Sequence, residues 1–484
     1  MGEAYELPPP MRPDVSRYTF MQAFVDNTIS SLPNAIKSAL AMNLVELAKP
    51  RQSTGSDNPG LVITLGTVCS GSEVYMSSLR HLSASLLEHL GIILVFDHLW
   101  CFEWDDLKRA WIVSNFSPRS CFGDITGVSE EGMALDYKSN SLKKVEPVML
   151  IIAGISCTDA SRLSCHNVAR RGSVSEGAHS TGSTFLGLMN LVQKMDPPPQ
   201  KLLMENVPSL MDKPNADSAM SNFQAVTSRC HAMNYNMVHA IFDSVQLGLP
   251  VTRERLYMLA SLGKGSGSGC CEERARQHVK MVIQSIAENC KKYELGDFLL
   301  PEYTEMFQDW NVNKKGDFKR KRKQHDEDEQ QHTQEEWPSL HEGMWVACAH
   351  NEDRSTWLSV LSDNDWFNCL SPRRQDALLL QLCSEKWPGP VDCIYNLEMS
   401  APRISRRSEE VQCLVPRGVY WLKARSRTLL GLEALLLQGA DLADLPTLRP
   451  GVWDNNFLQN LAGNAFNTFQ FMSWFVASMS CHGG

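Results

Sequence analysis

None of the 15 cysteines belongs to a Cys-x-x-Cys pair, and closely spaced ligand pairs are what structural zinc modules require. A zinc knuckle is therefore not expected, and no metal ligand is assigned. The odd, scattered cysteine count also lacks the look of a disulfide framework and predicts reduced thiols inside a cell. Long apolar runs are missing too. The longest, near Ile92 to Phe96 and Val148 to Ile155, are far short of the roughly 20 residues that span a bilayer, so no membrane partner is expected. The opening MGEAYELPPPMRP has acids and prolines where a secretory signal has a basic start and an apolar core. Gly2 is followed by Glu6 where a myristoylation signal takes Ser or Thr. Excess positive charge is absent: the formal net charge is -9 and the pI is near 5.8. No whole-chain basic field advertises nucleic acid, and phosphate contacts must come from local patches. No internal repeat is visible.

What is present is a chain of 484 residues, 43% of them hydrophobic, enough for two to four domains with real cores. It is organised around VMLIIAGISCTDAS, Val148 to Ser161. There an apolar run with the look of a buried strand breaks at Gly154 and presents Cys157 among small polar residues. Taken alone, Cys157 reads as a buried small hydrophobe; at the mouth of a sheet it is also a nucleophile candidate. Downstream, KLLMENVPSL ends a second short strand on Glu205, and GLPVTRERLYMLA places Arg253 and Arg255 at the start of a third. In an open α/β sheet the carboxyl ends of neighbouring parallel strands share one crevice, so a thiol, an acid and two cations converge there.

In this order the stretches resemble the DNA cytosine-5 methyltransferases, whose motifs IV, VI and VIII read Pro-Cys-Gln, Glu-Asn-Val and Gln-x-Arg-x-Arg. The resemblance implies an α/β, Rossmann-like catalytic domain dependent on S-adenosylmethionine, with an inserted, smaller target-recognition region. It implies that Cys157 adds to C6 of a flipped-out cytosine, that Glu205 and Arg255 meet N3 and O2, and that Arg253 holds the site together. Further motifs follow the same order. Cys69, Ser70, Gly71 and Ser72, in LVITLGTVCSGSE, resemble the motif I turn at the methionine end of the cofactor, with Glu73 in place of a second Gly. Glu103, ending IILVFDHLWCFEW, reads alone either as a solvated strand-end acid or as a ribose acceptor. The resemblance makes it the ribose acid, with Trp104 beside the adenine and Asp124 and Ile125 at its amino group. Ser156 is placed on the cofactor side. Glu433, Leu437, Gln438 and Gly439 fall on motif IX, and LAGNAFNTFQFMSWFV resembles motif X, with Asn464 and Phe466 toward the cofactor.

The expected organisation is an appendage over 1–60, the first catalytic part over 61–262, a target-recognition region over 263–424 and the closing catalytic part over 425–484. Leu79, Leu82, Leu86 and Leu90 recur at helical spacing before Gly91. The Gly- and Ser-rich stretch from Arg162 to Ser183, with Arg170 and Arg171, reads as a long functional loop, and the resemblance makes it the mobile loop that closes over the flipped base. Val279, Val282, Ile283, Ile286 and Cys290 give a helix pattern without a family counterpart, and a second helix is expected over Asp376 to Lys386. A charged, apolar-poor insertion near 312–338 reads as disordered. Its block Lys319 to Lys323 is a nuclear localisation signal, a phosphate-binding patch or a solvated insertion loop. The dense arginines from Arg403 to Arg427, interleaved with Tyr420 and Trp421, suit phosphate and base contacts, with surface salt bridging as the competing reading.

Three departures stand out: Ser156 for Pro, Thr158 for Gln and Val251 for the motif VIII Gln. Losing the Pro, which fixes φ, removes one restraint on the loop aiming the thiol. The expected activity is DNA cytosine-5 methylation in a nucleus. A tRNA methyltransferase of the same fold and a catalytically silent DNA-binding homologue are the alternatives.

Overall fold

The computed structural model describes residues 18–50, 60–162, 179–213, 220–263, 269–312, 314–316, 351–384, 394–399, 410–449 and 451–481, with single positions at 174, 177 and 342. At its centre is a ten-stranded sheet. Its strands are β1 (Lys49–Pro50), β2 (Leu61–Val68), β3 (Leu94–Phe102), β4 (Ser120–Phe122), β5 (Met133–Asp136), β6 (Ser141–Lys144), β7 (Leu150–Ala153), β8 (Lys201–Asn206), β9 (Tyr235–Phe242) and β10 (Arg255–Leu262). They lie in the order β6-β5-β4-β3-β2-β7-β8-β10-β9, with β1 paired to β2. β4, β3, β2, β7 and β8 run parallel, while β10 is antiparallel to both β8 and β9. β7 is buried at all four residues, as a central parallel strand covered on both faces must be, which is why it reads as an unbroken apolar run.

Helices α1 (Phe20–Ser31), α2 (Asn34–Leu47), α3 (Tyr75–Leu90), α4 (Asp106–Phe116), α5 (His179–Lys194) and α6 (Asn222–Ala232) precede α7 (Gly269–Asn289), α8 (Pro372–Ser384), α9 (Gly431–Leu437), α10 (Asn455–Asn464) and α11 (Thr468–Met479). α3 buries Leu79, Leu82 and Leu86 and stops at Gly91, whose left-handed φ of 66° closes the helix as its sequence predicts. α11 is buried at every residue. It packs against α1, α2, α3 and α7, and its polar Gln470 side chain bonds internally because no face of the helix reaches solvent.

Several sequence expectations change here. Residues 20–47, expected as part of an appendage, form two helices packed into the body of the protein. Met21, Phe24, Val25, Ile29, Leu40 and Leu44 belong to the main core, and Phe24 stacks on Phe469 of α11 with ring centroids 4.0 Å apart. α7 packs on β9 and α11, so the catalytic body runs past residue 263. α8 begins at Pro372, earlier than expected. Lys314 is helical and buried, which contradicts disorder at that end of the charged stretch; 317–336 and the Lys319 to Lys323 block lie outside the described residues, as do Arg170 and Arg171. Tyr420 and Trp421 are each 1% exposed. They sit in a three-stranded antiparallel sheet of β11 (Ile394–Asn396), β12 (Tyr420–Leu422) and β13 (Arg427–Thr428), so they are core residues, not base contacts. Arg427 is buried too, 2.8 Å from Glu433 and 3.0 Å from Glu302. Removing one partner of such a buried pair costs about 3–5 kcal/mol, so this arginine and the motif IX acid have structural work. Arg417 and Arg425 are exposed.

Candidate active site

The sheet order brings one end of β2, β3, β4, β7 and β8 to a common edge. β2 is the switch point: the chain leaves it for β3 on one side and returns to β7 on the other, and ligands of open α/β sheets bind in the crevice so formed. β10 runs the opposite way, so its beginning lies at this edge as well. Leu256 pairs with Asn206 and Tyr257 with Glu205, which sets Arg253 and Arg255 beside the end of β8.

The thiol of Cys157 follows β7 on a short turn, where the Ala160 and Ser161 N–H groups donate to the Cys157 carbonyl at 3.1 and 2.8 Å. Neighbours hold this turn from three sides. Asn206 Nδ2 donates to the Ile155 carbonyl at 2.9 Å, Ser209 Oγ to the Ala160 carbonyl at 2.7 Å, and the Thr181 N–H to Asp159 Oδ2 at 2.7 Å. Ser156 Oγ and Thr158 Oγ1 lie 2.8 Å apart. Two of the three departures from the family pattern therefore bond to each other across the thiol and restrain the loop that lacks Pro. The Ser156 hydroxyl, expected on the cofactor side, is engaged with Thr158. Cys157 is half-buried. Burial pushes its thiol above the ordinary value, with Arg255 and Arg253 acting to lower it and Glu205 to raise it.

Arg255 Nε lies 3.0 Å from Glu205 Oε1. The pair is ionic without a well-aligned hydrogen bond, and this buried carboxylate oxygen takes no donor among the described residues. An acceptor so placed is costly to leave unmet and suits an incoming donor. Arg253 plays another part. It is 3% exposed, and its guanidinium donates to the carbonyls of Leu414, Gly463 and Ala465. It is a positioning residue joining the start of β10 to the turn between α10 and α11, and not a group facing substrate. Cys413, which the sequence reading missed, has its sulfur 3.6 Å from Arg255 Nη2. A cysteine after a long insertion carries no spacing signal that could have found it.

The residues expected at the cofactor surround the ends of β2, β3 and β4. Two glycines mark close approaches there. A Cβ on Gly71, whose φ is +72°, would lie 2.3 Å from the Asn464 carbonyl oxygen. One on Gly154 would meet the Cys69 carbonyl oxygen at 2.6 Å and the Phe466 ring at 2.8 Å. The motif I turn, the end of β7 and the motif X turn thus converge without room for side chains. Ser70 and Ser72 are buried and Ser70 Oγ donates to Glu73 at 2.9 Å, so their side chains face inward; Cys69 is half-buried. Glu103 is 3% exposed, and its Oε1 takes the Asp105 N–H at 3.1 Å. Burial raises its carboxyl above the ordinary value. Trp104 is 68% exposed, while Arg109 fixes the carbonyls of Glu103 and Trp104, each at 2.8 Å. Asp124 is exposed and caps the next turn through the Thr126 N–H at 2.8 Å. Asn464 is exposed too. Ile125 and Phe466 are buried, Phe466 stacked on Tyr75 with centroids 5.0 Å apart, so both serve the crevice as packing. A buried strand-end carboxylate, a bare indole and a glycine-lined floor fit the ribose, adenine and amino-acid ends of S-adenosylmethionine.

Residues 83–442 match the family described as C-5 cytosine-specific DNA methylase. The chain belongs to that family. Its sheet, with the antiparallel β10 between β8 and β9, is that of the S-adenosylmethionine-dependent methyltransferase fold. It is 24% identical over 493 residues to the DNA (cytosine-5-)-methyltransferase DMT5 of Cryptococcus neoformans, covering 98% of this chain and 19% of that protein. To DMT5 of Verticillium dahliae it is 23% identical over 504 residues, covering 92% and 20%. The chain thus spans about a fifth of the length of these curated relatives. The type II methyltransferase M.HaeII of Haemophilus aegyptius is 25% identical over 179 residues, 36% of this chain and 48% of that one. The crystal structure of S. pombe Dnmt2 aligns with 86% of this chain and 97% of its own at 13% identity and a TM-score of 0.43. Among the described residues no helix is long and apolar enough to cross a membrane.

Proposed function

We propose that this chain methylates C5 of cytosine in DNA, the base being flipped out of the duplex and joined for the duration of the reaction to Cys157. The observation that carries the reading is the meeting, at one sheet edge, of a half-buried thiol with a buried acid in ionic contact with a half-buried cation, the carboxylate oxygen taking no donor among the described residues.

Cytosine C5 is a poor nucleophile. Addition of the Cys157 thiolate to C6 turns the ring into an enamine and loads electron density on N3 and O2. Glu205 would hold a proton at N3 and Arg255 would meet O2 as that charge develops. Asn206, Ser209 and Thr181 keep the sulfur aimed, and Arg253 keeps the start of β10 against the motif X turn. Glu103, Trp104 and the turn at Gly71 would hold S-adenosylmethionine, which supplies the methyl group when bound. Loss of the C5 proton and of the sulfur from C6 frees the base. Extrusion of the base from its stack costs a few kcal/mol.

The test is a duplex bearing 5-fluorocytosine, incubated with cofactor. Fluorine cannot leave as a proton, so a covalent adduct accumulates and is seen on a denaturing gel. Cys157→Ser is expected to abolish it, since a hydroxyl is far less ionised. Glu205→Gln is expected to slow it with cofactor affinity unchanged. Because burial raises the thiol, adduct formation is expected to quicken as pH rises above neutrality. An adduct surviving Cys157→Ser removes the nucleophile assignment; one formed on tRNA and not on DNA changes the substrate; none on either supports a silent binding module. The basic block Lys319 to Lys323 supports import into a nucleus as part of this reading, and a fluorescent fusion that remains nuclear after its neutralisation would refute that part.

A further inference from the structure

Arg255 has a partner at every nitrogen position of its guanidinium. Nε faces Glu205 at 3.0 Å, Nη1 donates to the Glu254 carbonyl at 2.7 Å, and Nη2 donates to Cys413 Sγ at 3.6 Å. Arg253 Nη1 is 4.0 Å from the same sulfur. A buried guanidinium, Arg253, and a half-buried one, Arg255, thus lie side by side; Glu205 is in ionic contact with Arg255, and the Asp243 carboxylate accepts the Arg253 backbone N–H at 2.9 Å. Charge withdrawn from water is expensive to leave unpaired, and a sulfur able to ionise that touches Arg255 adds to what Glu205 and Asp243 offset.

The sulfur's position is set by backbone, not by chance rotation of a surface loop. Val251 and Val411 form a bridge in which the Thr252 N–H donates to the Val411 carbonyl at 2.8 Å and the Val411 N–H to the Pro250 carbonyl at 2.7 Å. On the other side, the buried Tyr420 hydroxyl donates to the Cys413 carbonyl at 2.8 Å and accepts the Val415 N–H at 2.8 Å. Cys413 is therefore clamped to the segment that delivers Arg253 and Arg255.

We propose that Cys413 is a positioning residue of the active site: its sulfur holds the outer nitrogen of Arg255 so that Nε stays on Glu205. The proposal rests on reading Arg255 as the cation that meets the base. Burial pushes the Cys413 thiol up, but Arg255 and Arg253 outweigh that and hold it below the ordinary thiol value. Without the sulfur, Nη2 loses its acceptor and the guanidinium swings, which weakens the response to charge at O2 and alters the field on Cys157.

Two readouts test this on the whole chain. In the first, Cys413→Ala is expected to slow adduct formation with 5-fluorocytosine DNA at least tenfold and to shift its pH profile, with S-adenosylmethionine affinity unchanged. Cys413→Ser, which keeps an acceptor, is expected to recover most of the rate. In the second, which needs no turnover, iodoacetamide alkylation of Cys413 is followed against pH by peptide mass spectrometry. The midpoint is expected below the ordinary thiol value of about 8.5, and Arg255→Leu is expected to raise it. Cys413→Ala trapping DNA at the wild-type rate, or a Cys413 midpoint at or above the ordinary value, overturns the proposal. If the wild-type chain traps neither DNA nor tRNA, the methyltransferase reading fails, while the alkylation midpoints still decide whether Cys413 answers to Arg255. Should Cys413→Ala not fold, the serine variant and the alkylation series carry the decision.

Discussion

Glu73 shows how one residue can alter a family turn. It stands where the resemblance expects Gly and keeps a left-handed φ of 55°, a conformation uncommon for a residue with a Cβ. Its side chain turns inward, where the Thr67 and Ser70 hydroxyls donate to Oε1. Oε2 has no donor among the described residues and lies 3.9 Å from His98 Nδ1. Burial pushes the Glu73 carboxyl from 4.5 up to about 7 and the His98 imidazole from 6.5 down to about 3. Both groups thus favour their neutral forms. For an acid with a raised folded value, the stabilising contribution is complete below the unfolded value and is lost as pH climbs to the folded one. The contribution of Glu73 therefore drains away between pH 4.5 and about 7. Glu73→Gln keeps the Oε1 acceptor and cannot ionise. In urea unfolding it is expected to match the wild type near the acid end of that window and to exceed it by on the order of 2–3 kcal/mol above the window. A variant that is no more stable at pH 8 would show that Glu73 is charged and satisfied.

Between elements, the matching example is His81 on α3. Its Nε2 lies 2.7 Å from Asp444 and 3.3 Å from Asp441, both just beyond α9, while Nδ1 meets Gln22 Oε1 on α1. Asp441 also accepts the Met21 N–H at 3.0 Å. One imidazole thus ties the first helix, the helix after the motif I turn and the segment after motif IX. Burial lowers its basicity, but the two carboxylates outweigh that and raise it from 6.5 to about 9. For a base with a raised folded value, stabilisation is full below the unfolded value and is lost as pH rises through the folded one. The stability gap between wild type and His81→Gln is therefore expected to be on the order of 2 kcal/mol near pH 6 and to close as pH passes about 9. Thermal unfolding across that range checks it; a gap independent of pH would mean that the imidazole is neutral throughout.

At the scale of the molecule, one core is assembled from distant parts of the chain. α11, last in the described order, fills the space between α1, α2, α3 and α7, and Gln470 Nε2 donates to the carbonyls of both Phe242 and Arg253 at 2.8 Å. The site is completed the same way: the thiol and acid come before residues 263–409, and the motif X turn and Cys413 after them. Local pattern exposed the strands because a buried parallel strand must be a short apolar run ended by a turn. It did not expose α1 as core, since the apolar face of a helix says that it is covered and not by what. Nor did it show that Tyr420 and Trp421 are interior, because aromatic residues among arginines suit a binding surface and a small buried sheet equally well.

By itself the sequence determined the order of the chemical groups, the turn at Gly154 that lifts Cys157 out of β7, the helix closed at Gly91, and the glycine at 71. These are local demands, met by residues near one another in the chain. Only the tertiary structure decided that Arg255 pairs with Glu205 while Arg253 binds carbonyls, that Ser156 and Thr158 restrain the thiol loop by bonding to each other, and that Cys413 reaches Arg255 from 158 residues away. Such contacts follow from the register of β10 on β8 and the bridge between Val251 and Val411. Registers are chosen by the summed burial of whole strands, a property that no single motif contains.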